Sequence, residues 1–540
     1  MPNGPDEPRF KPATPLVDRT LFLQTGGEVN TVEVPGDPQK QEFDRWYGTG
    51  GTPPMRNPTA GNLVKYMIGG DATFREMLDA MRTAKQPGHF VYLLGWFLGL
   101  DFPLISADES TTIIKIFRDL DSKGVQIRAM LWEQFLPAGP KATFDKVLGD
   151  FGRTKIFGYF NLPSSMLFAN TDAVKFINTL PGKLSSPSIG PTAGAITDDR
   201  HPLFGAHHQK LLAVGGENGL VAFCGGCDIN PDRIFGAGIR GSFAPGAPLH
   251  DVHCRVQGPA ADDLLSVFVE RWDSHPATRA IDQARGGLLP APPVGQSIKG
   301  GQFVQVAETY GKGGKPFPLP RNTISRMIAK AIGAATEFIY IEDQYLVNLD
   351  TAQLLAARIP TLKHVTILIP AASLTVDLPE CASRRQLFIN VIQGADSTGK
   401  KIRVRQLKSP GIFNTYVHSK TWIFDDRFAI VGSPNVNKRG WENDSEVAIG
   451  ILDTSTDEEV AHHLAHQLRI DLWAKHLTMD NPPGKAQLEH GVHSVGFWDT
   501  PPLGARIEKY VTPPMDSFEA AAFATHPALW QSAWDQVCDP

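Results

Sequence analysis

The sequence predicts an α/β protein built from two similar α/β/α sandwich halves, each with a mixed β-sheet. Strand and helix patterns alternate in β-α-β order early in the chain and again after residue 320, and such alternation is typical of helices layered on a sheet. A His-x-Lys tripeptide also occurs twice, beginning at His208 and at His418, each time on a segment with strand character. We therefore expect halves related by a pseudo-two-fold axis, with an active site at their interface.

The elements of the two halves follow the same order. In the first half, an apolar run over residues 90–96 predicts a buried strand, residues 111–122 an amphipathic helix, and residues 125–132 the next strand. In the second half, residues 322–333 predict a helix, and residues 338–345 and 365–369 predict strands. Residues 158–200, rich in Ser, Pro, Gly and Thr, are interpreted as a long insertion before the first tripeptide.

Composition divides the 540 residues into five segments. A hydrophobic content of 42% is enough to bury large cores, and two halves of roughly 200 residues each are the economical division. Pro and Gly clusters predict the linker between them. The predicted segments are an extended leader (1–55), the first half (56–285), a linker (286–301), the second half (302–490) and a tail packed on the core (491–540).

The paired tripeptides indicate phosphodiester chemistry. Residues i and i+2 of a strand point to the same face, so His208 and Lys210 are presented together, as are His418 and Lys420. One neutral imidazole can attack phosphorus to form a phosphohistidine, while the other, protonated, gives a proton to the leaving alkoxide. The lysines balance the charge on the phosphoryl oxygens, so we expect no metal and no cofactor.

The surroundings of the tripeptides resemble a known family. The pattern HxKx4D at residues 418–425, followed by GSPN at 432–435, resembles the paired HKD motif of the phospholipase D superfamily. Six further segments resemble its eukaryotic-type branch and follow one another in order: 207–210, 225–228, 250–253, 258–260, 339–345 and 443–446. The resemblance implies a phospholipase D that releases phosphatidic acid and a headgroup alcohol from glycerophospholipids, and that also transfers the phosphatidyl group to other alcohols.

The first motif departs from this pattern at one position. Asp425 lies five residues after Lys420, whereas the residue five after Lys210 is Gly215, with Glu217 two places further on. We expect the strand to turn early there. In the family this aspartate sits behind the histidine and lysine, so the resemblance implies that activity survives. A catalytically impaired lipid-binding relative is one alternative, and another phosphodiesterase of the superfamily, such as a nuclease, is the second.

Two carboxylates are candidates for orienting the histidines. Aligning the halves places Asp251 on Glu446, each at the head of a strand that follows its own tripeptide. A carboxylate that accepts from one imidazole N–H fixes the tautomer and aims the other nitrogen. We expect Asp251 to orient His208 and Glu446 to orient His418. The alternative is that each carboxylate caps a turn or pairs with a surface arginine.

Four more residues complete the predicted site. Asp228 and Asn435 occupy equivalent positions after their glycine turns. We expect Asn435 to donate to a phosphate oxygen, whereas an ionised Asp228 cannot donate and is expected to hold Lys210 or a turn. Asp425 and Ser433 are expected behind the catalytic side chains, with Asp425 bracing strand ends. The resemblance implies that His208 attacks and His418 protonates the leaving alcohol, although the chemical similarity of the halves leaves the reverse assignment open.

Charge and apolar pattern restrict the partners. A net charge of −5 argues against nucleic acid, which favours a basic stripe. The longest apolar run, residues 90–100, is about half of the roughly 20 residues that a spanning helix needs, and residues 1–10 lack a signal-peptide pattern. We expect a monomer without a transmembrane segment that meets phospholipid at a membrane surface. Cytoplasmic residence and signal-independent export both remain open.

Overall fold

The computed structural model describes residues 38–133, 169–182, 190–201, 205–234, 249–291, 300–311, 320–370, 379–408, 416–453 and 463–511. The helices within them are α1 (Pro38–Trp46), α2 (Gly70–Met81), α3 (Ile113–Ser122), α4 (Ala169–Asn178), α5 (Pro259–Ser274), α6 (Thr278–Arg285), α7 (Thr323–Ala334), α8 (Leu349–Arg358), α9 (Pro379–Gly394), α10 (Leu464–Leu477), α11 (Pro482–Ala486) and α12 (Gly491–Ser494). The strands are β1 (Thr59–Ile68), β2 (Phe90–Gly95), β3 (Gln126–Trp132), β4 (Gly194–Asp198), β5 (Leu211–Gly216), β6 (Gly219–Gly225), β7 (Val252–Gln257), β8 (Gln302–Tyr310), β9 (Arg321–Asn322), β10 (Phe338–Glu342), β11 (His364–Ile369), β12 (Ile402–Leu407), β13 (Thr421–Phe424), β14 (Phe428–Gly432), β15 (Glu446–Asp453) and β16 (Ile507–Lys509).

One mixed β-sheet runs through both halves. Its order is β4-β3-β2-β5-β6-β7-β1-β8-β15-β14-β13-β10-β11-β12-β16, with β9 paired to β8. Outward from the antiparallel β1–β8 junction, the order β1-β7-β6-β5-β2-β3-β4 matches β8-β15-β14-β13-β10-β11-β12. In each half the outer three strands of this series are parallel and the others antiparallel. The predicted α/β class with mixed sheets is confirmed, and the pseudo-two-fold axis stays a prediction.

Three strands of the first half are buried on both faces. Every residue of β2, β3 and β5 is buried, as expected where a sheet is covered on both faces, and the buried polar residues of β3 are Gln126 and Arg128. One hydrophobic cluster draws residues from both halves, including Leu211 and Val252 from the first and Val431 and Val447 from the second. The halves therefore share a core, which holds the ends of β5 and β13 in a fixed relation.

The boundaries of the predicted elements are close to those observed. The helix predicted at residues 111–122 is α3, which begins after Thr112 because the Thr112 hydroxyl accepts a hydrogen bond from the Lys115 N–H. The helix predicted at 322–333 is α7, and the strands predicted at 90–96, 125–132 and 365–369 are β2, β3 and β11. The strand predicted at 338–345 ends earlier, at Glu342.

Two predicted irregular segments contain regular structure. The extended leader predicted for residues 1–55 includes α1, whose Trp46 is fully buried and stacks on Phe428 with ring centroids 5.4 Å apart. The insertion predicted at 158–200 includes α4 and β4, and β4 extends the sheet by pairing with β3. In α1 the apolar residues are the isolated Phe43 and Trp46 in polar surroundings, which gave no helical signal. Residues 1–37, 158–168 and 183–189 lie outside the described residues.

The predicted tail packs on the second half where it is described. β16 pairs with β12, and Trp498 is fully buried. Residues 512–540, like residues 292–299 of the predicted linker, lie outside the described residues. No described helix is both long enough and apolar enough to cross a bilayer.

Candidate active site

The two predicted catalytic histidines lie where the halves meet. His208 lies three residues before the start of β5, and its backbone N–H donates to the Ser445 carbonyl at 2.9 Å. His418 holds the same place before β13, and its N–H donates to the His250 carbonyl at 2.8 Å. Each acceptor belongs to the other half of the chain. Backbone hydrogen bonds therefore lock each histidine onto the opposite half, and both imidazoles are buried.

The carboxylates that orient the histidines are exchanged between the halves. Nδ1 of His208 lies 2.9 Å from Oε1 of Glu446, and Nδ1 of His418 lies 2.8 Å from Oδ2 of Asp251. The prediction that each carboxylate orients the histidine of its own half is therefore wrong. Each carboxylate directly follows the residue that accepts the backbone hydrogen bond of the opposite histidine, which brings it to that imidazole. Ser433 donates its hydroxyl hydrogen to Glu446 and fixes that carboxylate in turn.

Both lysines of the motifs are buried beside their histidines. Nζ of Lys210 donates to the His208 carbonyl at 2.9 Å and lies 3.2 Å from a carboxylate oxygen of Asp228. Lys420 makes the same carbonyl contact within its own motif and also donates to Oε1 of Gln344 at 3.0 Å. These side chains place two ammonium groups next to two imidazoles. Such a cluster of buried donors favours an anion with several acceptor oxygens.

Burial and nearby charge set the protonation of the site. Burial, followed by the charge of the neighbouring lysines, holds the pKa of His208 and of His418 well below the usual range. Burial raises the pKa of Asp251 to about 6 and of Glu446 to about 7, and it lowers the pKa of Lys420 to about 7. A neutral imidazole is the form that a nucleophile needs. A phosphodiester anion would offset the cationic charge and favour protonation of the second imidazole.

The residues after the two glycine turns differ in what they can do. Oδ1 of Asp228 accepts from the backbone N–H groups of Trp96 and Phe97 at 3.0 and 3.2 Å, while its other oxygen faces Lys210. Asn435 is buried, and its Oδ1 has no hydrogen-bond partner within the described part of the chain. Asp228 thus braces the first half-site. Asn435 places a side-chain amide, which can donate where a carboxylate cannot, at the equivalent position of the second.

Asp425, expected behind the catalytic side chains, braces the start of a strand. Its carboxylate accepts from the backbone N–H groups of Thr336 at 2.7 Å and of Glu337 and Phe338 at 2.8 Å. It lies five residues beyond Lys420, which is about 16 Å along an extended strand. Its contacts belong to the entry of β10, so Asp425 braces a strand end, as the sequence predicted.

Gly215 occupies a strand that does not turn early. β5 continues through Gly216 and is longer than β13, contrary to the expectation. Gly215 pairs with Phe90, and a Cβ at this position would come within 2.5 Å of the Phe90 ring. Glu217 does not replace the aspartate, because its exposed carboxylate pairs with Lys85 at 2.6 Å. The aromatic ring of β2 occupies the space that an aspartate side chain would need.

Two further residues reach the site that the sequence did not single out. Nη2 of Arg233 lies 3.4 Å from Nε2 of His418, and Gln344 holds Lys420 as described above. The signal for Arg233 was an arginine next to Asp232 in the turn after the first glycine pair. The signal for Gln344 was its place directly after a buried strand. Neither signal separates a site residue from an ordinary turn residue without the fold.

An aromatic wall flanks the first half-site. The Trp96 ring stacks on Trp132 at 5.4 Å and meets the His208 ring edge-on at 5.6 Å. Nζ of Lys210 lies 5.6 Å from the centre of the Trp96 ring, within the range of a cation–π contact. The indole therefore limits where the His208 imidazole can turn.

A buried triad lies behind the second half-site. Glu342 accepts from Nε2 of His250 and from Nε2 of His476, both at 2.8 Å, and from the Tyr340 hydroxyl at 2.7 Å. Within the described part of the chain, Glu342, His250 and His476 are the one set of His, Cys, Asp or Glu side chains close enough together to hold a metal ion. Three donors already satisfy the carboxylate. The triad thereby anchors His250, whose carbonyl receives the His418 N–H.

Two comparisons with known proteins find similarity to phospholipase D. A family model described as phospholipase D matches residues 393–493, a stretch that includes His418, Lys420 and Glu446. The chain is 23% identical over 543 residues to phospholipase D alpha 1 of Ricinus communis and 25% identical over 544 residues to phospholipase D alpha 1 of Cynara cardunculus. Each alignment covers 75% of this chain and 64% of the relative, so the chain spans about 64% of the length of these relatives.

A solved structure supports the fold. The crystal structure of phosphatidylserine synthase from Haemophilus influenzae Rd KW20 aligns with a TM-score of 0.54 at 12% sequence identity. The alignment covers 93% of this chain and 100% of that chain. At this identity the likeness concerns the fold alone, and it extends over both halves.

Proposed function

We propose that this chain, a member of the phospholipase D superfamily, is a phosphodiesterase and, more narrowly, a phospholipase D. Its substrate would be the distal phosphodiester bond of glycerophospholipids, and its products phosphatidic acid and the free headgroup alcohol. The observation that carries the proposal is the pair of buried histidines, each with a carboxylate on Nδ1 and each with a lysine two residues on. The names of the curated relatives support the lipid substrate.

The first step makes a covalent intermediate. Nε2 of His208 attacks phosphorus with its lone pair, and the bond from phosphorus to the headgroup oxygen breaks as the P–N bond forms. His418, protonated on Nε2, gives that proton to the departing oxygen. Glu446 stabilises the positive charge that develops on His208, and Lys210 and Lys420 stabilise the charge on the phosphoryl oxygens. Asn435 donates to one of these oxygens through its amide.

The second step releases the product. Neutral His418 takes a proton from water while the water oxygen attacks phosphorus, and the P–N electron pair returns to His208. A primary alcohol in place of water gives a phosphatidylalcohol by the same route. Two in-line displacements at one phosphorus predict overall retention of its configuration.

The direct experiment uses mixed vesicles of phosphatidylcholine and phosphatidylethanolamine with a primary alcohol and a chelator. We expect phosphatidic acid and phosphatidylalcohol from the wild-type chain, and a loss of at least about 10³-fold from His208→Ala and from His418→Ala. His490→Ala is the matched control, because His490 is exposed and lies outside the site. A folded wild-type chain that leaves the lipids intact but nicks plasmid DNA would show that the superfamily member is a nuclease instead.

A further inference from the structure

Arg233 lies against the reactive nitrogen of only one of the two histidines described above. It ends a short turn, Pro231–Arg233, that follows Asp228, and its side chain is 2% exposed. Nη2 of Arg233 is 3.4 Å from Nε2 of His418. Guanidinium groups donate and do not accept, so this contact engages the Nε2 lone pair of His418. Nδ1 of the same ring keeps its hydrogen for Asp251.

The guanidinium of Arg233 makes one close ion pair and two longer ones. Nη1 lies 2.9 Å from Asp232, whereas the contacts of Nη2 with Asp228 and of Nε with Asp251 are both 3.7 Å long. The buried Nε has no hydrogen-bond partner within the described part of the chain. A group anchored in this way can turn about its Asp232 contact and exchange His418 for a stronger acceptor. An oxygen of a phosphate anion is such an acceptor.

Among the described residues, the first half-site has no such arrangement. The arginine at the corresponding turn of the second half is Arg439, and its Nε lies 3.3 Å from Asp444. Oδ1 of Asp444 also accepts the Ala206 N–H at 2.8 Å, so this arginine is drawn into the contact between the halves. The His208 ring instead lies beside the Trp96 ring, with ring centroids 5.6 Å apart and a T-shaped arrangement. Each histidine has a carboxylate on Nδ1 and a lysine two residues on, but among the described residues a guanidinium lies against Nε2 of His418 alone.

We propose that Arg233 decides which histidine becomes the nucleophile, by covering the Nε2 lone pair of His418 until a phosphodiester binds and draws the guanidinium onto a phosphoryl oxygen. This inference rests on the proposed function. His208, whose Nε2 no guanidinium of the described residues engages, attacks phosphorus. The released His418 takes up a proton from bulk solvent as the anion binds and gives it to the leaving oxygen. The proton that His418 removes from the attacking water in the second step returns to bulk solvent when Arg233 covers Nε2 again, so no further reactant is needed. Arg233 acts on the chemistry through His418 and is a positioning residue.

Bis(4-nitrophenyl) phosphate tests this assignment, because its two ester groups are identical and its leaving group needs no proton. Either histidine can attack it in line, giving one 4-nitrophenolate and one 4-nitrophenyl phosphohistidine. Acid-free quenching and peptide mass spectrometry then locate the adduct. We expect the wild-type adduct on His208 alone, no adduct and no burst from His208→Ala, and a restored burst with the adduct on His418 from His208→Ala/Arg233→Gln.

The matched control is His208→Ala/Arg439→Gln, which removes the arginine of the other turn and should stay without adduct. Because Arg233 lies among buried aspartates, a second variant removes its anchored ion pair as a unit: Asp232→Asn/Arg233→Gln in the His208→Ala background. Circular dichroism confirms that each variant is folded. A purely structural role for Arg233 would lower the amount of adduct but would not move it to His418.

The outcomes separate the two proposals. If the wild-type chain forms an adduct and neither folded Arg233 variant places one on His418, the role of Arg233 is wrong while the phosphodiesterase chemistry stands. If the wild-type chain forms no adduct and no lipid product, the proposed function itself fails. An adduct on His418 in wild type would also overturn the inference, since the covered nitrogen would then be the nucleophile.

Discussion

At the scale of single residues, each of the two site histidines is hydrogen-bonded to a carboxylate from the other half of the chain. Neighbouring positions in the sequence suggested the opposite pairing, because Asp251 and Glu446 each follow the tripeptide of their own half. The tripeptides, both lysines and both carboxylates could be predicted from spacing and resemblance. The histidine partner of each carboxylate could not be predicted, because it depends on how the two halves of the chain pack against each other.

The exchanged pairs predict how two carboxylate variants differ. Glu446→Gln should lower kcat for phosphatidylcholine by up to about 10⁴-fold, as replacing a triad carboxylate by its amide does, because the imidazolium of His208 loses its partner. Asp251→Asn should slow the first step similarly with choline as leaving group, but the burst of 4-nitrophenolate from a 4-nitrophenyl phosphodiester should recover, because this leaving group needs no proton from His418. The measurement is the ratio of the first-step rate constants for the two substrates. Recovery of Glu446→Gln rather than Asp251→Asn would show that the pairing or the roles are reversed.

The lowered pKa of Lys420 predicts how kcat/KM falls at alkaline pH. Burial lowers the pKa of Lys420 to about 7, so the ammonium is charged below pH 7 and loses its charge as the pH rises. Since the free enzyme needs this charge to bind the anion, kcat/KM should fall about tenfold per pH unit above that pKa. Lys420→Arg stays charged, so its residual activity should show the limb at higher pH. An unchanged limb in this variant, with folding verified across the range, would assign the limb to another group.

At the scale of elements, the ends of equivalent strands are built differently. Asp425 ties the entry of β10 through three backbone hydrogen bonds, and it can do so because it sits in a left-handed turn with φ 53° directly after β13. Gly215 lies inside the longer β5, against Phe90. The sequence predicted most strands and helices here within a few residues. It could not show that one half stabilises this end with a carboxylate and the other with an aromatic ring.

This difference predicts that restoring the family aspartate is harmful. Gly215→Asp should lower the free energy of unfolding by about 1–3 kcal/mol, because the new side chain must displace the Phe90 ring. Activity per folded molecule should not rise. Denaturant unfolding and the lipid assay on the same preparation provide the measurement. A stable variant with higher kcat would mean that the first half-site does lack a functional aspartate.

The same contacts predict a purely structural effect at the second strand end. Asp425→Ala should lower the free energy of unfolding by about 1–3 kcal/mol, since three backbone N–H groups and Arg45 lose their acceptor. Because these contacts lie one strand length from Lys420, kcat and KM of the folded variant should match the wild type at a temperature well below its Tm. A large fall in kcat without a fall in stability would return Asp425 to the catalytic machinery.

At the scale of the whole molecule, the halves behave as one folding unit. The β1–β8 pairing continues the sheet across the junction, and one hydrophobic cluster spans both halves. Four backbone hydrogen bonds cross at the site, donated by the N–H groups of His208, His250, His418 and Ser445. Duplication and α/β layering were readable from the repeated order of patterns. The shared core was not, because the apolar residues that form it look the same in sequence as those of two independent cores.

This continuity predicts that cutting the predicted linker will not separate the halves. A protease site placed within residues 292–299 should allow complete cleavage while the fragments remain together on size-exclusion chromatography and kcat stays unchanged. Dissociation requires denaturant, since it must expose the shared apolar core. Fragments that separate after the cut, with activity in one of them, would contradict an active site assembled from both halves.

The exchanged carboxylates also bear on when activity first appears during synthesis. The ribosome releases His208 and Lys210 long before Glu446, and a nascent first half has no acceptor for the Nδ1 hydrogen of its histidine. Because the halves share one core, the first half is not expected to complete its fold while it emerges alone, and even a structured first half would lack this partner. The proposed activity is therefore expected only once translation has passed β15 and Glu446 has been made.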